Sequence, residues 1–425
     1  MFNEPESLPL SILLISPEYP PMPGGVGRYT HNLREKLVGM GFIVSVVCAK
    51  QGNGEYSGIS QHNPGNSEVL LELVEKLKPD LVHVQYEPGL YDLKLNMLRP
   101  SKTSTNIDKF YKYCKIPIIT TFHSAYPFKQ WMSLPIPIYE HQQDPYLLKK
   151  AKRMMSFWTR LINYRRFQVL NEQKLAHSAA GIAFSEFTAN LIGSGERGCH
   201  VIPHGAEKRE LVSSQSKSQL RDLFSIPRDR RVALAIGYAT KTKGWDIIEK
   251  MEIPDMWTVV MNASKNEYSH ESYQTSENKK NLIGLHSEFL NEEELCALFS
   301  CADAVILPYK VSSGSGIMFD GLSYGLPFVA SNLGFFNEFA LLGLGITAKR
   351  TAVAFSEALL YLDKHYEEYF KRVAAIKNSI SWQEVANKHA QLYRKFAKRK
   401  EQDLPYSLST GGKMLVKSQQ IGDTK

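Results

Sequence analysis

AVILPYKVSSGSGIMFDGLSYGLPFVAS occupies residues 304–331. An apolar run, AVILPY, meets a turn of alternating serine and glycine at 312–316. A helix-like segment, GIMFDGLSYG, and a second apolar run, PFVASN, follow. Strands that are apolar on both faces belong to parallel sheets covered by helices, so this stretch predicts strand–loop–helix–strand. A turn without large side chains presents backbone N–H groups and hydroxyls beyond the strand end. That suits a phosphate or a sugar, and it equally suits a tight turn.

The same alternation extends in both directions. Strands are expected at SILLIS (11–16), FIVSVVCA (42–49), LVHVQ (81–85), IPIITTFH (116–123) and GIAFS (181–185). A second series follows at RVALAIG (231–237), MWTVVMNA (256–263), LIGL (282–285) and the two runs quoted above. Amphipathic helices are expected between them at 29–39, 69–78 and 292–302, with terminal helices at 351–369 and 382–398. Each series makes a complete open sheet. The fold class is therefore α/β, with two doubly wound, Rossmann-like parallel-sheet domains facing across a cleft and a change of domain near residue 203.

Length and composition agree with this organisation. At 425 residues the chain exceeds what one core usually accommodates, and 43% hydrophobic residues suffice for two. Five scattered cysteines without a CxxC read as reduced thiols, which points to a cytoplasmic protein. MFNEPESLPLSILLIS has acids where a signal peptide would have bases, and its apolar run is too short to span a bilayer. The net charge of +8 favours anionic partners. Basic residues concentrate at 149–166, where Lys149, Lys150, Lys152, Arg153, Arg160, Arg165 and Arg166 interleave with Phe157, Trp158, Leu161, Ile162 and Tyr164. This segment reads either as a helix packed on the first domain with a solvated face or as a peripheral contact with an anionic membrane. It carries no recognised nucleic-acid module, so no nucleic-acid partner is expected.

Three strand-end loops carry candidate chemistry. PPMPGGVGRYTHNL (20–33) places Gly24, Gly25 and Gly27 before a helix whose free N–H groups favour an anion. It matches neither the dinucleotide fingerprint nor the phosphate-loop motif. GYATKTKGWDII (237–248) puts Lys241 and Lys243 beside a strand end, where an ammonium would neutralise a diphosphate. SSGSG opens the helix that carries Asp320, whose carboxylate suits a ribose diol. His123 and Glu87 also fall at strand ends, and His123 could donate to a sugar hydroxyl. In CHVIPH, Cys199, His200 and His204 have a metal-like spacing, but Pro203 and the β-branched pair Val201 and Ile202 imply an extended segment. Four extended residues span roughly 13 Å, too far for both rings to hold one ion, so no metal is expected.

In their order, GGVGRY, DLVHVQYEPG, TTFHS, FSEFTANLI, VIPHG, GYATKTKG, ADAVILPY, SSGSG with its following aspartate, GLPFVAS and SWQEVANKHAQLY resemble the retaining GT-B glycosyltransferases of family 4. The resemblance runs over residues 10–398. It implies an acceptor-side domain at 1–203, a nucleotide-sugar domain at 204–375 and a last helix at 376–400 returning to the first domain; beyond it, the polar, Gly/Ser/Lys-rich residues 401–425 read by composition as a flexible tail. It also implies that Gly24 and Gly25 lie near the donor phosphate and the acceptor, and that His123 approaches the donor sugar. Lys243 would hold the diphosphate with Lys241 nearby, Ser315 and Gly316 would flank it, and Asp320 would bind the ribose. Glu87, Ser312 and Glu338 become candidate acceptor or sugar contacts. Two departures stand out: Tyr238 replaces the usual arginine, and Ser312 replaces the first of the family's paired glutamates.

The implied activity is transfer of a hexose, with retention, from a GDP-mannose or UDP-glucose type donor to a hydroxyl of a glycan or lipid-linked acceptor. No cofactor is implied beyond the donor itself. The alternatives are a catalytically impaired nucleotide-sugar-binding protein and a nucleotide-sugar epimerase on the same scaffold.

Overall fold

The apolar runs pair into two wholly parallel sheets in the computed structural model, which describes residues 9–96, 98–134, 145–193, 198–210, 215–265, 279–285 and 288–397. The first sheet contains β1 (Ser11–Ile15), β2 (Ile43–Cys48), β3 (Tyr56–Ser57), β4 (Leu81–Tyr86), β5 (Ile118–Phe122), β6 (Ala180–Ala183) and β7 (Cys199–Val201). The second contains β8 (Arg231–Tyr238), β9 (Trp257–Ser264), β10 (Leu282–Gly284), β11 (Ala304–Leu307), β12 (Phe328–Ser331) and β13 (Gly345–Ala348). Their orders, β3-β2-β1-β4-β5-β6-β7 and β10-β9-β8-β11-β12-β13, each reverse direction next to the first strand of the series. This is the GT-B architecture of two Rossmann-like domains. The reversals fall at β1/β4 and β8/β11, and in open sheets such points leave a crevice at the carboxyl ends of the strands.

Six helices frame that crevice: α1 (Gly25–Gly39), α2 (Tyr146–Ala176), α3 (Glu186–Ile192), α4 (Gly316–Ser323), α5 (Gly334–Leu341) and α6 (Trp382–Phe396). α6 crosses back and packs on α1, burying Trp382, His389 and Tyr393. One apolar cluster runs through both halves, joining Tyr29 and Phe184 of the first to Phe319 and Trp382.

The structure departs from expectation where long-range or single-atom effects decide. α1 begins at Gly25 rather than Tyr29, because a distant carboxylate satisfies its first N–H groups. The strand expected over 304–309 stops at Leu307, since Pro308 has no N–H for the ladder. The helix expected over 351–369 divides at His365 into Ala352–Lys364 and Tyr366–Ile376. β3 and β13 escape the sequence reading because one is two residues long and the other, GITA, flanks its two strand formers with glycine and alanine. Residues 401–425, read as a tail, lie outside the described residues, as do residues 398–400, to which the sequence reading extends the terminal helix.

Candidate functional site

The loop after β1 is organised by Glu18, a residue the sequence reading passed over. Its Oε2 accepts hydrogen bonds from the backbone N–H of Val26 (2.9 Å) and Gly27 (3.0 Å), capping α1. The carboxylate occupies the space a side chain at Gly24 would need, since a Cβ there would lie 1.8 Å from Glu18 Oε1. Gly24 is therefore glycine for the sake of this carboxylate. The helix N-terminus expected to receive an anion holds one of the chain's own carboxyl groups. Burial raises the Glu18 carboxyl to about 7, against the opposing pull of the two N–H bonds. The charge of Glu87, which follows β4, pushes the same way.

Glu87 itself is half-buried against Ser124, whose hydroxyl donates to its Oε2, and desolvation raises its pKa. Its Oε1 faces the N–H of Gly89 at 3.4 Å, so Glu87 orders the turn after β4.

His123, at the end of β5, lies in a cage formed by Tyr29 and Phe184, both edge-on at 5.4 and 5.2 Å between ring centres. Its Nε2 is 2.9 Å from Gln85 Oε1, while Gln85 Nε2 lies 3.3 Å from His83 Nε2. His83 Nδ1 in turn meets the Tyr393 hydroxyl of α6 at 2.6 Å. With the Gln85 amide donating to His83, its oxygen accepts from His123 Nε2–H, and Nδ1 becomes the acceptor nitrogen of His123. The expected donation from this imidazole to a sugar is thus reversed in polarity. Burial holds His123 neutral, with its pKa lowered to about 3, and the nearby His204 reinforces the effect.

The serine-glycine loop reaches this centre from the second sheet. Ser313 Oγ donates to the carbonyl of His123 (2.9 Å), and Ser313 O accepts from Thr188 Oγ1 of α3 (3.0 Å). Ser312 N–H donates to Gln130 Oε1 (2.8 Å), and the Ser312 hydroxyl turns inward to Gly314 O (3.0 Å). Ser315 caps α4 through Met318 N–H (3.2 Å). A Cβ on Gly316 would lie 3.4 Å from His204 Nε2, and the His204 ring stacks on Phe319 at 5.8 Å. His204 therefore belongs to the cleft rather than to a metal site. His200 lies in β7, and no cluster of three or more His, Cys, Asp or Glu side chains able to hold a metal occurs among the described residues.

Asp320 is buried on α4 and faces Arg28 of α1, with Nη1–Oδ2 at 2.7 Å and Nη2–Oδ1 at 3.4 Å. Arg28 Nε also lies 3.4 Å from Glu292. The carboxylate assigned to ribose therefore already has a forked guanidinium partner across the cleft. Arg28 and Asp320 border a cavity of about 170 Å³. Asn32, Lys36, Glu207 and Trp382 also line it, whereas His123, the serine-glycine loop and Lys243 do not.

The lysine loop after β8 packs on the loop after β11 through Lys310 N–H to Thr242 O (2.7 Å). The Lys243 ammonium lies 3.8 Å above the ring of Tyr309, and Lys241 is exposed. Gly244 has φ +76, and a Cβ there would sit 1.9 Å from Pro308 O, so only glycine fits behind Lys243. Tyr238, which stands where an arginine was expected, stacks on Phe289 at 5.9 Å. Both carboxylate oxygens of Glu338 accept N–H groups at the start of α3, from Glu186 (3.0 Å) and Phe187 (2.9 Å). Its α5 neighbour Gly334 packs against Phe187, 2.1 Å from where a Cβ would lie.

His123, Ser312, Ser313, Ser315, Gly316 and Asp320 thus converge from two sheets, with Glu18, Gly24 and Glu87 at the first switch point and Lys243 at the second. The sequence reading missed Glu18, Arg28, Gln85 and Gln130. Only Glu18, a single acid between a strand end and a glycine-rich helix start, left a local signal.

Residues 23–209 match the sequence model of Glycosyltransferase Family 4. No curated protein matches the sequence significantly. Among solved structures, sucrose-phosphate synthase from Thermosynechococcus elongatus is similar with a TM-score of 0.62 at 15% identity, over 91% of this chain and 98% of that one. Anabaena HepE in complex with UDP-glucose gives 0.60 at 11% identity, over 91% and 100%. UDP-GlcNAc 2-epimerase from Neisseria meningitidis, bound to UDP-GlcNAc, gives 0.53 at 15%, over 91% and 100%. The chain thus has the GT-B fold and is similar to family 4 through its first domain.

Proposed function

We propose that this protein is a retaining glycosyltransferase that moves a hexose from a nucleoside diphosphate sugar of the GDP-mannose or UDP-glucose type to an acceptor hydroxyl. The observation that carries this reading is the meeting of the serine-glycine loop with His123 between two sheet switch points, through the hydrogen bond from Ser313 to the His123 carbonyl. HepE and the epimerase, structures of this fold, hold UDP-glucose and UDP-GlcNAc respectively, which supports a nucleotide sugar as the ligand class.

In this reading Lys243, with Lys241 nearby, stabilises the negative charge that grows on the departing diphosphate, aided by N–H groups at the start of α4. Neutral His123 accepts a hydrogen bond from a donor-sugar hydroxyl through Nδ1 and orients the ring. Asp320 exchanges Arg28 for the ribose hydroxyls as the cleft opens and recloses. Retention follows if the acceptor attacks from the face the diphosphate leaves, with donor phosphate taking its proton, so no side chain is assigned as the base. Domain closure excludes water from the activated sugar.

A second reading, a nucleotide-sugar-binding protein with impaired turnover, is favoured by the pairing of Asp320 with Arg28 and by the inward-turned Ser312 hydroxyl. Calorimetry with a panel of nucleoside diphosphate sugars, followed by transfer and hydrolysis assays with the tightest binder, separates the two. Binding with turnover supports the transferase, binding without turnover supports the second reading, and release of a C2 epimer supports an epimerase. Failure to bind any nucleotide sugar removes all three.

A further inference from the structure

α2 is an amphipathic helix turned inside out along its first half. Between Tyr146 and Ile162, eight large apolar side chains are exposed on this one helix. At 100° per residue, Leu147, Met154, Trp158 and Ile162 fall on a single outward stripe, with Met155 beside it. Their exposures are 77%, 60%, 49% and 40%. The opposite side carries the residues that bind the domain, with Thr159, Asn163 and Phe167 buried. The stripe is about 24 Å long at the usual helical rise, a large apolar surface for a helix that already has a core to pack on.

We propose that this stripe is a docking surface for an anionic phospholipid bilayer, which α2 meets lying in the plane of the headgroups. The charge around it selects this occupant. From residue 146 to 171 the chain contains seven lysines and arginines and no acid. Exposed Lys150 projects beside the stripe, and exposed Arg165, which pairs with Glu172 just beyond this segment (3.1 Å), continues it one turn beyond Ile162. A second copy seated on the stripe would bring two such basic segments face to face. A surface of negative headgroups over an apolar interior complements both the stripe and its basic border. Tyr146, Phe157 and Trp158 are ring-bearing side chains of the kind that settle at such an interface.

The helix is also tied to the cleft. Trp131 Nε1 donates to Arg160 O of α2 (2.8 Å), and the adjacent Gln130 accepts from Ser312 N–H (2.8 Å). One short segment therefore spans from the docking helix to the serine-glycine loop. This places the cleft close to the bilayer surface, where a lipid-linked acceptor would be presented. The docking surface itself does not depend on the assignment of the cleft.

The test uses the full chain and vesicles of phosphatidylcholine with 30% phosphatidylglycerol, compared with phosphatidylcholine alone, in a sedimentation assay at low and high salt. Wild-type protein is expected to bind the anionic vesicles at least tenfold more tightly than the neutral ones, and to lose most of that preference in high salt. Leu147→Ser with Trp158→Ser should lower binding at least tenfold, and Lys150→Glu with Arg165→Glu should remove the preference for anionic lipid. Unchanged thermal melting and unchanged nucleotide-sugar affinity would show that the variants remain folded. No binding by the wild-type chain overturns the proposal, and so does equal binding by all variants. A concentration-dependent dimer abolished by the serine variant, without vesicle binding, overturns it in favour of self-association. Because vesicle binding is read without any donor, its failure leaves the transferase reading standing, and failure of donor binding leaves the docking surface standing.

Discussion

Replacing Glu18 by glutamine should change the pH dependence of stability by an amount the structure sets. The folded carboxyl titrates at about 7, against 4.5 for the unperturbed group, chiefly because burial disfavours its charge. Between those values the folded chain keeps a proton that the unfolded chain has lost. The stabilisation is therefore complete below pH 4.5 and is lost as pH rises through 7. A rise from 4.5 to about 7 corresponds to roughly 3 kcal/mol. Glutamine keeps a similar size and an oxygen that can accept from Val26 and Gly27 N–H, but it has no charge to desolvate. Urea denaturation of both proteins from pH 5 to 8 should show the wild type losing about 2–3 kcal/mol relative to Glu18→Gln as pH rises. The buried histidines titrate in both proteins, so they cancel in the difference. Parallel stability curves would refute the account of Glu18 as a desolvated cap.

Acid should act on the histidines in the opposite sense. His204 and His389 are lowered to about 4 by burial, and buried His83 is also lowered, so each stays neutral in the folded chain while its unfolded counterpart protonates below about 6.5. In the Glu18→Gln background the urea midpoint should therefore fall steadily from pH 6.5 towards 4, and a flat profile would contradict the assignment. Gly244→Ala should lose at least roughly 2 kcal/mol in thermal or urea unfolding, because both its positive φ and the carbonyl of Pro308 oppose a Cβ. Arg28→Met and Asp320→Asn, alone and combined, should give a coupling energy of roughly 1–3 kcal/mol in a denaturation cycle, and additivity would exclude a functional interdomain pair. Lys243→Ala should lower donor turnover at least tenfold and Asp320→Ala should chiefly weaken nucleotide binding; equal donor use by both variants and the wild type would end that assignment.

The sheets were legible because their information is local. SILLIS, LVHVQ and AVILPY are short apolar runs with turn residues at both ends, and alternation with helices leaves few topologies to choose from. Loop positions followed from the strand ends, which is why His123, Lys243 and the serine-glycine turn could be placed just beyond strands. What each side chain does there was less accessible. Asp320 carries no mark of Arg28, which lies 292 positions away, and Glu338 carries no mark of the helix it caps across the cleft. The polarity of His123 depends on Gln85, whose own orientation depends on His83 and, through it, on Tyr393 of the returning helix. Partners of this kind are chosen by the tertiary fold, and their sequence separation gives nothing to read.

These partners share a consequence. Glu18 fills the N-terminus of α1, Arg28 fills the fork of Asp320, and Gln130 and the His123 carbonyl bind the serine-glycine loop. In the proposed reading each stands in for a contact that a donor would make, and the Arg28–Asp320, Gln130–Ser312 and Ser313–His123 contacts tie the two halves together. A donor therefore gains only the difference between its own hydrogen bonds and those it displaces. A molecule that supplies an anion without a ribose diol, such as inorganic diphosphate, could take the place of Glu18 but would leave Arg28 with Asp320. A base and ribose without a diphosphate would face the reverse deficit. Under the proposed function the arrangement favours ligands that replace several of these contacts at once, and selectivity for an intact nucleotide sugar would follow from the displaced contacts as much as from any single residue that touches it.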